Sequence, residues 1–364
     1  SRKINSSLSE IDKNINILND KYEEELKKFY LTTLIGSYVF YFHNDIFLND
    51  LNVFKKNIIF LKKNFIPFLN KDIIEKNTNI DKEFKNKVKS NELKINIHQE
   101  ESVISIFGKN TINESINFPK DYSVIIEEGS SITFNKDSYL KFYNNLHIKG
   151  SKKNLVNIIG NNKGTIILSN LNHKKNNLII EYANFENMVE KVNDGVRYTG
   201  GITIHSSSNA LIKNSTFKKF LSEDVINFKG FGNLVANITQ NNFVEIINDG
   251  IDADFVKEIT ITNHNIQGTK NKFNENSDGL DFSKSNFSVN DNTINNFHDK
   301  CISVGEASYG IISSNIINNC NIGIANKDGS TAKIKKNNFK NNSSNISSYI
   351  KKKSYKKPLE IYDN

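Results

Sequence analysis

Apolar and polar positions along this chain follow two periods. From Leu93 onward, apolar residues recur at every second position in short runs: Leu93-Lys-Ile-Asn-Ile97, Val103-Ile-Ser-Ile-Phe107 in part, Tyr122-Ser-Val-Ile-Ile126, Ser131-Ile-Thr-Phe134, Tyr139-Leu-Lys-Phe142 and Leu146-His-Ile-Lys149. Alternation of this kind marks half-buried strands. Before Leu93 the step is three and four. Leu8, Ile11, Ile15, Leu18, Tyr22 and Leu26 are separated by Glu, Asp and Lys, the pattern of an amphipathic helix. A second such stretch covers Leu51 to Leu69, interrupted by Pro67, and Asp72 to Asn91 reads as a polar helix or linker. Residues 1–91 are therefore expected to be a helical segment and linker, either packing or dimerising, or else lying on a membrane through its Phe, Ile and Lys faces.

Beyond the simple alternation lies a repeat. Asp224-Val-Ile-Asn227, Asp249-Gly-Ile-Asp252, Asp278-Gly-Leu-Asp281, Lys300-Cys-Ile-Ser303 and Ile322-Gly-Ile-Ala325 follow a weaker copy, Gly200-Gly-Ile-Thr203, and successive copies start 24, 25, 29, 22 and 22 residues apart. One such unit per period of this length is the mark of a solenoid. The predicted fold is an all-β solenoid, a right-handed parallel β-helix over residues 92–350, with capping coils at 92–150, the helical segment before it, and a cap or tail at 351–364. Gly129 and Gly150 are expected at positive φ in turns. Asn184-Phe185, Ser215-Thr-Phe217, Asn241-Asn-Phe243, Asn295-Asn-Phe297 and Asn337-Asn-Phe339 predict a column of stacked phenylalanines beside asparagines that bond from coil to coil.

Strand alternation assigns faces to the repeat. Ile202, Ile226, Ile251, Leu280, Ile302 and Ile324 face inward, so Thr203, Asn227, Asp252, Asp281, Ser303 and Ala325 face outward. Two residues further along, also outward, are His205, Lys229, Asp254, Ser283, Gly305 and Lys327, while Asp224, Asp249, Asp278 and Lys300 stand at the strand entrances. Coils stack about 4.8 Å apart, so Asp252, Asp254 and Asp281 form a dense acidic group. Like charges side by side on a sheet destabilise it. Three readings stay open: a catalytic carboxylate pair for glycoside chemistry, a Ca²⁺ ion shared by Asp252, Asp254 and Asp281, or aspartates capping turn amides, with Lys229 and Lys300 neutralising them. The catalytic candidates are Asp252, Asp254, Asp281 and Lys300. Candidate substrate-binding residues are Arg197, Tyr198, His205, Asn227, Lys229, Asp249, Asp278, Ser283, Ser303 and Glu306.

Composition changes the picture little. Hydrophobic residues make up 37% of the 364 positions, which suits the thin core of a solenoid, and the net charge of +8 lies in lysine runs outside the acidic repeats. No nucleic-acid motif is present, so nucleic acid is not an expected partner. No run of 18 apolar residues occurs, and the most apolar window, Leu34 to Phe42, is too short to span a membrane. Cys301 and Cys320 are read as two half-buried thiols rather than a disulfide. The chain starts at Ser1 rather than Met, so a preceding segment, either a tag or a targeting segment, is expected to have been removed.

Ser222-Glu-Asp-Val-Ile-Asn227, Asn248-Asp-Gly-Ile-Asp-Ala-Asp-Phe255, Ser277-Asp-Gly-Leu-Asp-Phe-Ser283, Asp299-Lys-Cys-Ile-Ser-Val-Gly-Glu306 and Gly323-Ile-Ala-Asn-Lys-Asp-Gly329 resemble the pectin-lyase-like superfamily of right-handed parallel β-helices. More narrowly, they resemble bacterial β-helix proteins found alongside, or fused to, CotH-type kinase domains. The resemblance covers about residues 95 to 350; no kinase motif is present. Polygalacturonase-type hydrolases share Asp-rich strands, but their Gly-His-Gly and Arg-Ile-Lys elements are missing here. Pectate lyases are similar in using Asp- or Glu-bound Ca²⁺ with a basic residue. The resemblance implies an extracytoplasmic, carbohydrate-active β-helix that binds a polysaccharide along its repeated strands, with lyase, epimerase or hydrolase chemistry on a uronate-containing glycan. The alternative is a non-catalytic envelope or adhesion scaffold that binds glycan or a partner protein and oligomerises through its N-terminal helices.

Overall fold

A computed structural model of the chain describes residues 82–170, 176–193, 195–206, 209–230, 233–270 and 276–362. The helices expected before residue 82, and any oligomer contact or membrane contact they make, lie outside the described residues. From Val103 onward the chain winds into a parallel β-solenoid of about ten turns. Three sheets run its length: sheet 1 and sheet 2 with ten strands each, and sheet 3 with twelve. Sheet 1 carries the repeat, in strands Gly200–Ser206, Asp224–Lys229, Asp249–Asp254, Asp278–Ser283, Lys300–Gly305 and Ile322–Lys327. Its register pairs Ile202 with Ile226, Ile226 with Ile251, Ile251 with Leu280, Leu280 with Ile302 and Ile302 with Ile324. All six are buried in one continuous core, as their alternation predicts.

The start of the column is closed by a helix at 82–90 and by an antiparallel strand, Ile95–His98, laid against Val103–Ile106. Phe84 of the helix reaches the core and meets Phe118, whose ring stacks on Phe142. The helix falls inside the stretch expected to be helix or linker. The coils after Ile106 are ordinary rungs, so the cap is this one helix and strand, which also covers the sheet edge. Residues 192–197 belong to a separate compact unit and form a short two-stranded ribbon with their neighbours in sequence.

Each turn bends at single residues in the left-handed region. Asn214, Asn263, Asn296, Asn319 and Asn341 occupy such positions, as expected of asparagine, but so do Tyr182, Lys219, Gln240, Glu245 and Lys336. Gly129 has positive φ, whereas Gly150 does not. Gly150 is required for a different reason: a Cβ there would lie 2.0 Å from the carbonyl oxygen of Tyr182 in the next turn.

The stacked phenylalanines are Phe185, Phe217 and Phe243, with ring centroids 5.2 and 4.8 Å apart. The row continues as Ile266, Ile294, Ile317 and Phe339. Phe297 is therefore not a member of it; that turn contributes Ile294, and Phe297 fills the core one bend later. Beside the row runs an internal polar ladder: Asn241, His264, Asn292, Asn315 and Asn337. The backbone N–H of Asn292 donates to Asn315 Oδ1, and that of Asn315 to Asn337 Oδ1, both at 3.0 Å. His264 replaces an asparagine in this ladder. Its Nδ1 accepts from the Asn241 N–H at 2.9 Å, which leaves Nε2–H to donate to the Ile238 carbonyl at 3.0 Å. Burial lowers its pKa to about 4, so it stands neutral. His264→Ala is expected to cost about 2 kcal/mol by stranding two buried backbone groups, while His264→Asn, restoring the ladder residue, should cost less. Thermal melts of the two variants check this.

Cys301 and Cys320 are fully buried and joined by a disulfide, with Cα atoms 5.7 Å apart. This corrects the reading of two half-buried thiols. One coil returns the chain to a point one rung away, so residues 19 apart here become neighbours.

Candidate functional site

The three outward rows expected of the repeat are present on sheet 1. Asp252 pairs with Asn227 and Asp281, and Asp281 with Ser303. Lys229 pairs with Asp254, and Asp254 with Ser283. The entrance residues share this side because each strand breaks alternation after its first residue. A Cβ on Gly250 would lie 2.4 Å from the Gly279 carbonyl oxygen and 3.4 Å from Ile266 Cγ2, so that position points at the column. Val225 and Cys301, at the equivalent position, are buried in the core. Two successive inward residues bring positions one and four of the motif together. Gly200 and Thr203 show the consequence: the Thr203 hydroxyl accepts from the Gly200 N–H and donates to its carbonyl, each at 3.1 Å.

Six aspartates therefore gather on three adjacent rungs: Asp224, Asp249, Asp252, Asp254, Asp278 and Asp281. Some of their oxygens hold the fold. Asp249 Oδ1 accepts the Asp278 N–H at 2.7 Å, and Asp278 Oδ1 accepts the Lys300 N–H at 3.0 Å. This is the capping role weighed for the entrance residues, repeated along the stack. The Lys300 ammonium donates to both oxygens of Asp278 at 3.2 Å and pairs with Asp299. Asn227 Nδ2 donates to Asp252 Oδ2 at 2.7 Å, and Lys229 Nζ stands 3.7 Å from Asp254 Oδ2. Glu306 is engaged by Lys352.

The setting is largely desolvated. Asp224, Asp278, Lys300, His205, Asn227 and Ser303 are buried, whereas Asp249, Asp252, Asp254, Asp281 and Ser283 keep part of their surface. Burial pushes Asp224 and Asp278 up to about 7 and Asp254 up to about 6, with neighbouring aspartates adding to the shift and Lys229 opposing it at Asp254. Asp249 and Asp252 are raised well above the usual carboxylate range by burial and then by Asp278 and Asp254 respectively. Burial works against the Lys300 charge, but Asp278 and Asp299 outweigh it and hold the ammonium firmly protonated. Burial, then Lys229, lowers His205 to about 3.

Several polar atoms here lack a hydrogen-bond partner among the described residues: Asp224 Oδ2, Asn227 Oδ1, Asp281 Oδ1, Ser303 Oγ and His205 Nε2. Such atoms are costly when buried, and five on one face of one sheet form a group. Tyr198 is buried at the end of the short ribbon, where its hydroxyl accepts from the ammonium of Lys141, a sheet 1 residue, at 2.9 Å. Arg197 is exposed and belongs to the ribbon unit, not to the compact unit that carries the ladder. Asp224 was legible only as a turn cap, yet its orphaned oxygen and raised pKa place it in the cluster; opening the second copy of the repeat was the available signal. A shallow depression of about 310 Å³ lies on sheet 3 across strands Asn177–Glu181, Asn209–Lys213 and Val235–Thr239, on a different sheet from the carboxylates.

No family model matches the chain, and neither does any curated protein or solved structure. No described helix is long and apolar enough to cross a membrane.

Proposed function

We propose that this protein is a carbohydrate-active β-helix whose part-exposed carboxylates on sheet 1 act on a polysaccharide laid beside the repeated strands. The observation that carries the reading is the pairing of Asp252 with Asp281 on adjacent rungs, next to Asp254 and the fixed cation of Lys300. Rungs about 4.8 Å apart place two carboxyls near the separation of about 5 Å that suits a nucleophile and an acid–base partner. The desolvated ladder supplies both protonation states near neutral pH. Burial and then Asp254 push Asp252 well above the usual carboxylate range, toward the acid form, while Asp254, at about 6, is largely ionised at neutral pH. Lys300 stays charged, so its part is electrostatic rather than that of a base. Asn227 orients Asp252 through its amide. Hydrolase-type chemistry is therefore favoured over a lyase that needs a neutral lysine.

Asp249, Asp278 and Glu306 have their own bonding duties, and Ser303 and His205 are buried. The disulfide supports an oxidising, extracytoplasmic setting. The non-catalytic scaffold remains the second reading, favoured by one observation: Asp249 and Asp278 carry backbone caps from turn to turn.

The test is the full chain against a panel of neutral, uronate-containing and amino-sugar polysaccharides, with products read by mass spectrometry. Cleavage that falls about a hundredfold in Asp252→Asn or Asp281→Asn, with melting curves unchanged in EDTA, is expected. Cleavage undiminished in both variants would remove these residues from the chemistry, and glycan binding without any turnover would establish the scaffold.

A further inference from the structure

We propose that Asp249, Asp278 and Asp281 hold a divalent cation, Ca²⁺ by their chemistry, that ties strand Asp249–Asp254 to strand Asp278–Ser283. One carboxylate oxygen from each of the three lies within 4.8 Å of the others. This trio is not the expected one: the double inward step at Gly250 and Gly279 brings the entrance aspartates in beside Asp281, and Asp278 joins it with the Lys300 ammonium 3.2 Å from both of its oxygens.

Acidic clusters are common without an ion, but three further features point to one here. The first is the set of orphaned oxygens on flanking rungs. Ser303, which pairs with Asp281, is 0% exposed, and its Oγ has no partner among the described residues. Asp224, which pairs with Asp249, is 3% exposed, and its Oδ2 likewise has none. Asp281 Oδ1 itself is a third. Oxygens left this way are those an ion would take.

The second is charge. Lys300 pairs with Asp278 and Lys229 with Asp254, which leaves Asp224, Asp249, Asp252 and Asp281 with no ammonium partner among the described residues. A dication beside them offsets two of those charges. The third is accessibility: Asp278 is buried while Asp249 and Asp281 keep part of their surface, which admits a single ion between the rungs. The donor set is entirely oxygen, carboxylates with a hydroxyl beside them, which excludes the nitrogen and sulfur preference of zinc. Donors fixed by strand geometry rather than arranged as a regular octahedron suit Ca²⁺ over Mg²⁺. The ion's role is structural: it joins two turns of the solenoid beside the Asp252–Asp281 pair, with Asp281 shared between the ion and the glycan reading.

The experiment uses the full chain stripped with EDTA, titrated calorimetrically with CaCl₂ and separately with MgCl₂, and melted with and without each. One Ca²⁺ per chain and a rise in Tm are expected, with Mg²⁺ clearly weaker. Asp281→Asn should weaken Ca²⁺ at least about tenfold and abolish the rise, while Asp121→Asn, at an exposed turn, should change neither. If Asp281→Asn does not fold, Asp249→Asn and the wild-type titration decide. No heat and no Tm shift at millimolar Ca²⁺ would overturn the site, as would an Asp281→Asn variant that behaves as wild type. Equal binding of Mg²⁺ would overturn the choice of calcium. No glycan enters this measurement, so a null result here leaves the carbohydrate reading intact, and the reverse holds.

Discussion

In the absence of divalent cations, the protein should be several kcal/mol more stable at pH 5 than at pH 8, the reverse of an ordinary acidic surface. Asp224 and Asp278 stand near 7 and Asp254 near 6, against 3.8 for an unperturbed aspartate, and Asp249 and Asp252 are also raised. An acid whose pKa is higher in the folded state binds its proton more tightly when native. That stabilisation is complete below the unfolded value and is lost progressively as pH climbs from there through the folded one, here from about 4 to about 7. One acid raised by three units contributes on the order of 4 kcal/mol across that window, and coupling among these neighbours makes the total less than the sum. Glu306 and Asp299 strengthen the shift, while Lys229, Lys300 and Lys327 oppose it. The histidines act in the other direction. His205 and His264 are lowered to about 3 and about 4, so the unfolded chain gains their protons first as pH falls below 6.5. The histidines offset only part of this, so stability should rise as pH falls from 8 and level off near about pH 4, where the unfolded aspartates take up protons as well. Urea melts from pH 4 to 9 in EDTA measure this. Asp224→Asn should flatten the limb between pH 6 and 8; a wild-type profile flat across that limb would show that the ladder is not desolvated in solution.

That limb also shows where sequence reasoning reached and where it stopped. The inward row Ile202 to Ile324 and its outward companions were legible because a strand period of two is fixed by backbone geometry and the repeat supplied the register. The entrance aspartates were legible as residues but not as neighbours of Asp281. That required knowing that Gly250 and Gly279 turn inward, and the reason is a carbonyl in the adjacent coil. Disulfide pairing failed similarly, because Cys301 and Cys320 meet through the closure of a whole turn. Phe297 was misassigned because Asn-Asn-Phe looks the same at a bend as in a rung. His264 hid in an asparagine ladder because imidazole can accept at one nitrogen and donate at the other, like a carboxamide. The charge state of the ladder could not be read at all: it depends on how much water each carboxylate loses, which is a property of the packed turns.

Lys300→Met should be among the most destabilising single substitutions in the chain, by about 3–5 kcal/mol. Lys300 and Asp278 are 5% and 4% exposed, and the ammonium is shared between Asp278 and Asp299. Its removal leaves two carboxylates in a desolvated acidic cluster with their cation gone. Asp278 has a second duty, accepting the backbone N–H of residue 300, so the compensating variant must keep an acceptor there. Asp278→Asn does so, and the Lys300→Met/Asp278→Asn double variant should recover much of the loss, with the cycle giving a coupling energy of a few kcal/mol. Lys300→Arg should not substitute fully, since a planar guanidinium needs room that a point-like ammonium does not. The penalty of Lys300→Met should also shrink at low pH, because Asp278 can protonate once the pH falls below about 7, which neutralises the charge that Lys300 served. Melting curves of the four species at pH 5 and pH 8 decide the matter. A double variant no more stable than Lys300→Met at pH 8 would mean that Lys300 acts through Asp299 or through packing of its stem, and not through the ladder.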